Sequence, residues 1–274
     1  MKIVSYNINS IRKRLDHLET LINKHQPDII SLQETKVQDV DFPREAIHNL
    51  GYHAAFHGQK THYGVATLMK TQACATIKGF SHDDETSQKR LIISKHRLNN
   101  GNNIHLINGY FPQGENRDHP TKFPAKIKFY QDLLRYLQQH HTPEELIVVL
   151  GDMNISPEDI DIGIGENNRK RWLQTGKCSF LPEERVMLNQ LKAWGLTDSF
   201  RHLYPQQNSY TWFDYRSKGF EDEPKRGLRI DLILLTKNLL EQCNKVEIDY
   251  HIRGMATPSD HAPVVAEFGE LRLV

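Results

Sequence analysis

Four acids, two amides and one histidine stand where apolar runs of this 274-residue chain break off: Asn7, Glu34, Asp152, Asn154, Asp231, Asp260 and His261. The clearest case is Glu145–Ser156, E-L-I-V-V-L-G-D-M-N-I-S. Leu146 to Leu150 form an unbroken apolar run closed by Gly151, the pattern of a buried strand. Asp152 and Asn154, two positions apart, are expected to leave its mouth pointing the same way. The competing reading is a plain turn, for which Gly, Asp and Asn are common residues. The donors are hard oxygens without cysteine, which favours Mg2+ or Mn2+ over zinc. Clustered carboxylates repel unless a cation sits among them. A cation there suits phosphoester hydrolysis, because it neutralises phosphate charge, polarises phosphorus and steadies the leaving oxygen.

Each residue also has an ordinary reading. Asn7 could only end a strand, and Glu34 could be a surface acid. Asp231 lies in an apolar stretch, where an unpaired carboxylate is costly, so it calls for a partner. His261 is the candidate. It is the one histidine of 15 with a motif context. Ser259-Asp260-His261 invites a nucleophilic serine. Sequence neighbours rarely face one another, however, and no G-x-S-x-G elbow is present.

The positioning elements follow from periodicity. Strands are expected over Lys2–Tyr6, Asp28–Leu32, Gly51–Phe56, Tyr63–Met69, Lys89–Lys95, Asn103–Asn108, Leu146–Leu150, Leu228–Leu235 and Val264–Phe268. Helical spacing marks Arg12–His25, stopped by Pro27, then Phe123–Gln139, and Pro182–Trp194 ended by Gly195. Pro157–Phe180 reads as a long irregular segment, functional or mobile, with a basic cluster at Arg169–Arg171 beside Trp172. The interleaved order predicts a single α/β domain over residues 1–274, sheets inside and helices outside.

Composition narrows the classes. The 38% hydrophobic and 25% charged residues are ordinary for a globular protein. The apolar runs are far too short for a membrane span. The polar N-terminus lacks a signal-peptide core. Cys74, Cys178 and Cys243 lie far apart without C-x-x-C, which fits a reducing cytosol. With a net charge of +1, a nucleic-acid partner needs a local basic surface.

The motifs as a set resemble the exonuclease III family of the endonuclease/exonuclease/phosphatase superfamily. They are S-Y-N-I-N-S-I-R at 5–12, L-Q-E-T-K at 32–36, N-G-Y-F-P-Q-G at 108–114, G-D-M-N-I-S-P at 151–157, W-F-D-Y-R-S-K-G-F at 212–220, G-L-R-I-D-L at 227–232 and S-D-H-A-P-V at 259–264. G-I-G-E-N-N-R-K-R-W-L at 163–173 looks particular to the exonuclease III branch. The resemblance implies a four-layer α/β sandwich, two packed mixed β-sheets flanked by helices, with the site at one edge. It implies a monomeric, cytoplasmic bacterial enzyme held at the nucleoid by DNA. Such enzymes cut duplex DNA beside abasic sites, degrade it from 3′ ends, remove 3′ blocking groups and attack the RNA strand of hybrids, with Mg2+ and also Mn2+.

Transferred residue by residue, the resemblance makes Glu34 the main metal ligand. Asn7 and Asp260 lie near it, and Asp152, Asn154 and His261 complete the metal-side set. Asp152 would deprotonate the attacking water, and Asn154 would hold that water or donate to the transition-state oxygen. Tyr110 would stand near the scissile phosphate. His261 would bind phosphate, oriented by Asp231, whose charge would raise its pKa. Trp212 and Phe213 match the aromatic motif that packs around an extruded abasic sugar, though packing in the core is the alternative for Trp212. An abasic sugar has no base to unstack, so extruding it costs less than flipping a normal nucleotide. Lys36, Arg90, Arg117, Arg169, Lys170, Arg171, Arg216 and Lys218 are the candidate phosphate contacts, with ordinary solvated surface as the alternative. Asn9 stands where some relatives carry an acid, which leaves one-metal and two-metal chemistry open. Two other readings stand beside this one: a superfamily phosphatase for inositol phosphates or lipid headgroups, and an inactive DNA-binding relative.

Overall fold

The computed structural model describes residues 1–274. Twelve strands follow one another: β1 Lys2–Asn7, β2 Ile29–Gln33, β3 His53–His57, β4 Val65–Met69, β5 Ala75–Lys78, β6 Leu91–Arg97, β7 Asn103–Tyr110, β8 Leu146–Asp152, β9 Leu196–Asp198, β10 Asp231–Thr236, β11 Cys243–Ile248 and β12 Val264–Phe268. Eight α-helices lie between them: α1 Leu15–His25, α2 Arg44–Asn49, α3 Lys122–His140, α4 Glu166–Thr175, α5 Pro182–Trp194, α6 Ser199–Leu203, α7 Lys237–Leu240 and α8 Tyr250–Arg253.

The strands form two six-stranded mixed sheets, ordered β11-β12-β1-β2-β4-β3 and β5-β6-β7-β8-β10-β9. Each sheet contains one parallel pair joined through a helix, β1–α1–β2 in the first and β7–α3–β8 in the second. Alternation along the strands sorts side chains between layers. On β8, Ile147 and Val149 pack under α3 and α5, whereas Val148 and Leu150 meet Ile3, Ile29 and Val264 of the other sheet. On β1, Val4 and Tyr6 pack outward with Leu18 and Leu21 of α1. The result is helix, sheet, sheet, helix: the four-layer sandwich expected from the motifs.

The helical span expected from Arg12 resolves into a 3-10 turn at Ile11–Lys13 and α1 from Leu15. The span expected to be irregular, Pro157–Phe180, contains α4. Its spacing hides because Trp172 is the one buried residue of that helix. The strand expected from Leu228 begins at Asp231. No helix is long and apolar enough to cross a membrane.

Candidate active site

Tyr110, Asp152 and Asp231 lie side by side because strand register places them there. Tyr110 pairs with Asp152 across parallel β7–β8, and Asp152 with Asp231 across antiparallel β8–β10. One step earlier Gly109 pairs with Gly151. A Cβ on Gly151 would sit 1.9 Å from the Gly109 carbonyl oxygen, and Gly151 holds φ 138°. Only glycine allows the two strands to approach there. All three site residues continue the face that packs against the other sheet: Val148 and Leu150 lead to Asp152, Ile104 and Leu106 to Tyr110. The opposing sheet does the same, with Ile3 leading to Asn7. The inter-sheet layer is apolar along most of its length and polar at this edge.

The two polar edges meet. Asn7 Nδ2 donates to Asp152 Oδ2 at 2.9 Å, and Gln33 Nε2 donates to Asn108 Oδ1 at 2.8 Å. His261 Nδ1 donates to Asp231 Oδ2 at 2.8 Å. The other ring nitrogen faces Asp152 Oδ2 at 3.8 Å. The ligand atoms of Asp152, Asp231 and His261 lie within 4.8 Å of one another, but the imidazole is engaged with Asp231, so this trio works as a proton-handling and phosphate-facing group rather than as a cation site. Burial pushes Asp152 up to about 7, and Asp231 adds to the rise, while His261 and the Asn7 bond oppose it. Burial pulls His261 down, but Asp231, Asp152 and Asp260 outweigh it and raise the ring to about 10. The pair thus offers a carboxylate that can exchange a proton near neutrality beside a cationic imidazole.

Asn154 reaches the site by a route other than the expected strand alternation. It adopts φ 52°, its backbone N–H donates to Asp152 Oδ1 at 3.1 Å, and its Nδ2 donates to the Phe111 carbonyl at 2.9 Å. That is an Asx turn, which Asp readily forms. Behind it, the buried Lys126 Nζ donates to the Asn154 carbonyl at 2.9 Å and pairs with Glu184. Glu184 in turn accepts from the backbone of Ser179 and Leu181. Sequence reading missed Lys126, Glu184, Gln33 and Asn108. Charges in an amphipathic helix look like surface charges until the tertiary partner is known.

Glu34 stands just past β2 with φ 55°. Lys36 Nζ lies 3.0 Å from its Oε1 and donates to Asn9 Oδ1 at 2.6 Å. Asn9 Nδ2 donates to Asp260 Oδ1 at 2.9 Å, and Trp212 Nε1 to Asp260 Oδ2 at 3.1 Å. Burial pushes Asp260 up, yet His261, Asn9 and Trp212 hold it below its ordinary value. Tyr110 is raised well above its ordinary value by burial and then by Glu34 and Asp152, with a smaller push from Asp260. Glu34, Asp152 and Asp260 all bear on Tyr110, and the Lys36 ammonium rests against Glu34. The donor chemistry of Glu34 and Asp260, carboxylate oxygens without sulfur, suits a hard divalent cation, although their ligand atoms do not form a compact group of three with another acid or histidine. Asn9, Ser10, Glu34, Lys36 and Asn154 all hold positive φ. Such concentration of costly backbone is typical of functional sites.

Ser259 is fully buried, and its hydroxyl donates to the Asn7 carbonyl at 2.7 Å, so it braces the turn and offers no nucleophile. Arg90 departs from the expected surface contact. It is buried, stacks between Tyr63 and Tyr110 at 4.2 and 4.7 Å, and donates to the Tyr110 carbonyl. Phe213 also departs. It is fully buried against Phe220 and Tyr250, because its neighbours in the aromatic motif supply their own core. Trp212 is only half-buried and stays at the site. Arg117 is paired bidentately with Glu183, Arg169 with Asp159 and Glu166, and Lys170 loosely with Glu166. Arg171, Arg216 and Lys218 are exposed.

Comparison with known proteins gives the family. The family described as Endonuclease/Exonuclease/phosphatase family matches residues 4–261. The exodeoxyribonuclease III of Haemophilus influenzae is 56% identical over 269 residues, covering 98% of this chain and all of that one. An AP endonuclease from Archaeoglobus fulgidus superposes with a TM-score of 0.88 at 34% identity, covering 98% of this chain and 99% of that one. A Neisseria 3′ phosphatase, NExo, bound to a product DNA hairpin superposes at 0.87 with 34% identity, over 98% and 99% of the two chains. The chain belongs to the endonuclease/exonuclease/phosphatase family and, within it, to the exodeoxyribonuclease III and AP endonuclease group of DNA-repair nucleases.

Proposed function

We propose that residues 1–274 act as one monomeric, Mg2+-dependent nuclease domain on double-stranded DNA. The activities are 3′-to-5′ exonuclease, cleavage 5′ to abasic sites, removal of 3′-phosphate and 3′-phosphodiester blocks, and RNase H-like attack on hybrids, with Mn2+ as an accepted substitute. The carrying observation is the Asp231–His261–Asp152 arrangement, with a near-neutral carboxylate facing a cationic imidazole.

In this reading Asp152 takes the proton of the attacking water. His261 binds a phosphate oxygen and resists the build-up of negative charge, and Asp231 fixes its ring. Asn154 sets the geometry of Asp152, and Tyr110 stands where the leaving oxygen departs. Glu34, with Asn7 and Asp260 beside it, would hold the cation, which when bound neutralises phosphate charge. Trp212 lines the space for the extruded sugar, and Lys36, Arg171, Arg216 and Lys218 are the phosphate contacts on the approach.

The test is a panel of abasic duplex, blunt duplex, 3′-phosphate nick and RNA–DNA hybrid, with and without Mg2+, plus inositol phosphates as the competing substrate. Asp152→Asn and His261→Ala should each lower cleavage by about two to four orders of magnitude, the usual yield of positioned proton transfer and charge stabilisation. Near-wild-type turnover in either variant removes that residue from the mechanism. Preferential turnover of inositol phosphates overturns the nuclease reading.

A further inference from the structure

We propose that His105, His141 and Glu145 form a separate zinc site at the end of the second sheet remote from the chemistry. His105 is carried by β7, His141 follows the last residue of α3, and Glu145 immediately precedes β8. The ligand atoms of all three lie within 4.8 Å of one another. His141 Nδ1 is 2.9 Å from Glu145 Oε2, and His105 Nε2 is 3.7 Å from the same oxygen. Around a tetrahedral zinc with bonds of roughly 2 Å, ligand atoms lie about 3.3 Å apart, so the two spacings bracket the required one. Two imidazoles and a carboxylate are a donor set that selects zinc over Mg2+.

The surroundings agree. At 3.7 Å His105 does not hydrogen-bond Glu145. His141 is almost wholly buried, and its Nδ1 hydrogen-bonds Glu145 Oε2 at 2.9 Å, a proton-mediated contact that zinc would replace. A cavity of about 500 Å³ lined by His105, His141, His140 and Tyr136 provides entry. The opposing feature is Lys95, which faces His105 across β6–β7. A second His/acid group, His25, Glu247 and Asp249, is more heavily committed, since Glu145 accepts only from the His141 ring and the Thr142 N–H. Asp249 there already accepts from Lys24, from the His25 ring and from two backbone N–H groups.

Separation from the catalytic edge follows from the register. His105 and Tyr110 are five residues apart on one strand, roughly 17 Å. A metal at the near ends of β7 and β8 would therefore clip the α3–β8 connection to the sheet without touching the phosphate.

The experiment is equilibrium dialysis of Zn2+ against the full chain, in excess Mg2+, for wild type, His105→Asn and Glu145→Gln. Wild type should take up one more zinc ion than either variant, or bind it at least about tenfold more tightly, since disturbing even an outer partner of a ligand costs that much. Zn2+ should raise the melting temperature of wild type only, and Mg2+-dependent cleavage should be the same in all three before zinc is added. Equal uptake and equal melting shifts overturn the proposal. If His105→Asn fails to fold, the isosteric Glu145→Gln decides alone.

Discussion

The Nδ2 of Asn7 donates to Oδ2 of Asp152 at 2.9 Å, joining the two sheets at the point of chemistry. This bond favours the charged carboxylate against its burial. Asn7→Ala should move the rising limb of the kcat/KM profile to higher pH and lower activity at pH 7 by roughly tenfold or more, the worth of a hydrogen bond to a charged group. An unmoved limb would mean that Asn7 only ends a strand.

Asp231→Asn should act on the opposite limb. His261 is raised in the folded state, so its contribution to stability is full below about pH 6.5 and is lost as pH rises through about 10. Removing the Asp231 charge should bring the falling limb of the rate profile down toward neutrality and narrow the stability gap between variant and wild type at high pH. The His261 ring followed by NMR gives the direct check, with the limbs read as properties of the coupled Asp152–His261 pair.

Lys126→Met should be costly to stability and to catalysis for separable reasons. Removing one partner of a buried ion pair costs about 3–5 kcal/mol, read as a fall in the denaturation midpoint. Adding Glu184→Gln should restore part of that loss, because the neutral amide tolerates burial better and can still accept a backbone bond. It should not restore kcat, since the Asn154 carbonyl still lacks its donor. Full recovery of turnover in the double variant would place Lys126 outside the support of Asn154.

Arg90→Met discriminates between two roles. If the guanidinium holds Tyr110 through stacking and its carbonyl, kcat should fall with KM and the salt dependence of binding little changed. A phosphate contact would instead weaken binding across substrates and reduce the salt slope by about one.

The ends of strands were the most legible part of the chain. Asp152, Asp231 and Glu34 interrupt apolar runs, and polar residues at such breaks stand out whatever the fold. The partners that aim them were not legible. Lys126 and Glu184 sit on different helices, 58 residues apart, and each taken alone resembles a solvated charge. Arg90 reads as surface until Tyr63 and Tyr110 are seen to enclose it. Phe213 reads as a site aromatic because only tertiary packing reveals Phe220 and Tyr250 around it. The edge strands β5 and β9 escaped for another reason: β5 is exposed throughout and β9 spans Leu196–Asp198, so neither carries a periodic pattern.

The hydrogen bond from the Trp212 indole to Asp260 makes this protein its own optical probe. The indole is half-buried and tied to a carboxylate at the cation-side cluster, so anything that draws on that carboxylate changes the polarity felt by the ring. Emission from Trp212, isolated by Trp172→Phe and Trp194→Phe, should shift when the cation arrives and again when a sugar enters, and the order of the two events can be timed without labelling the protein.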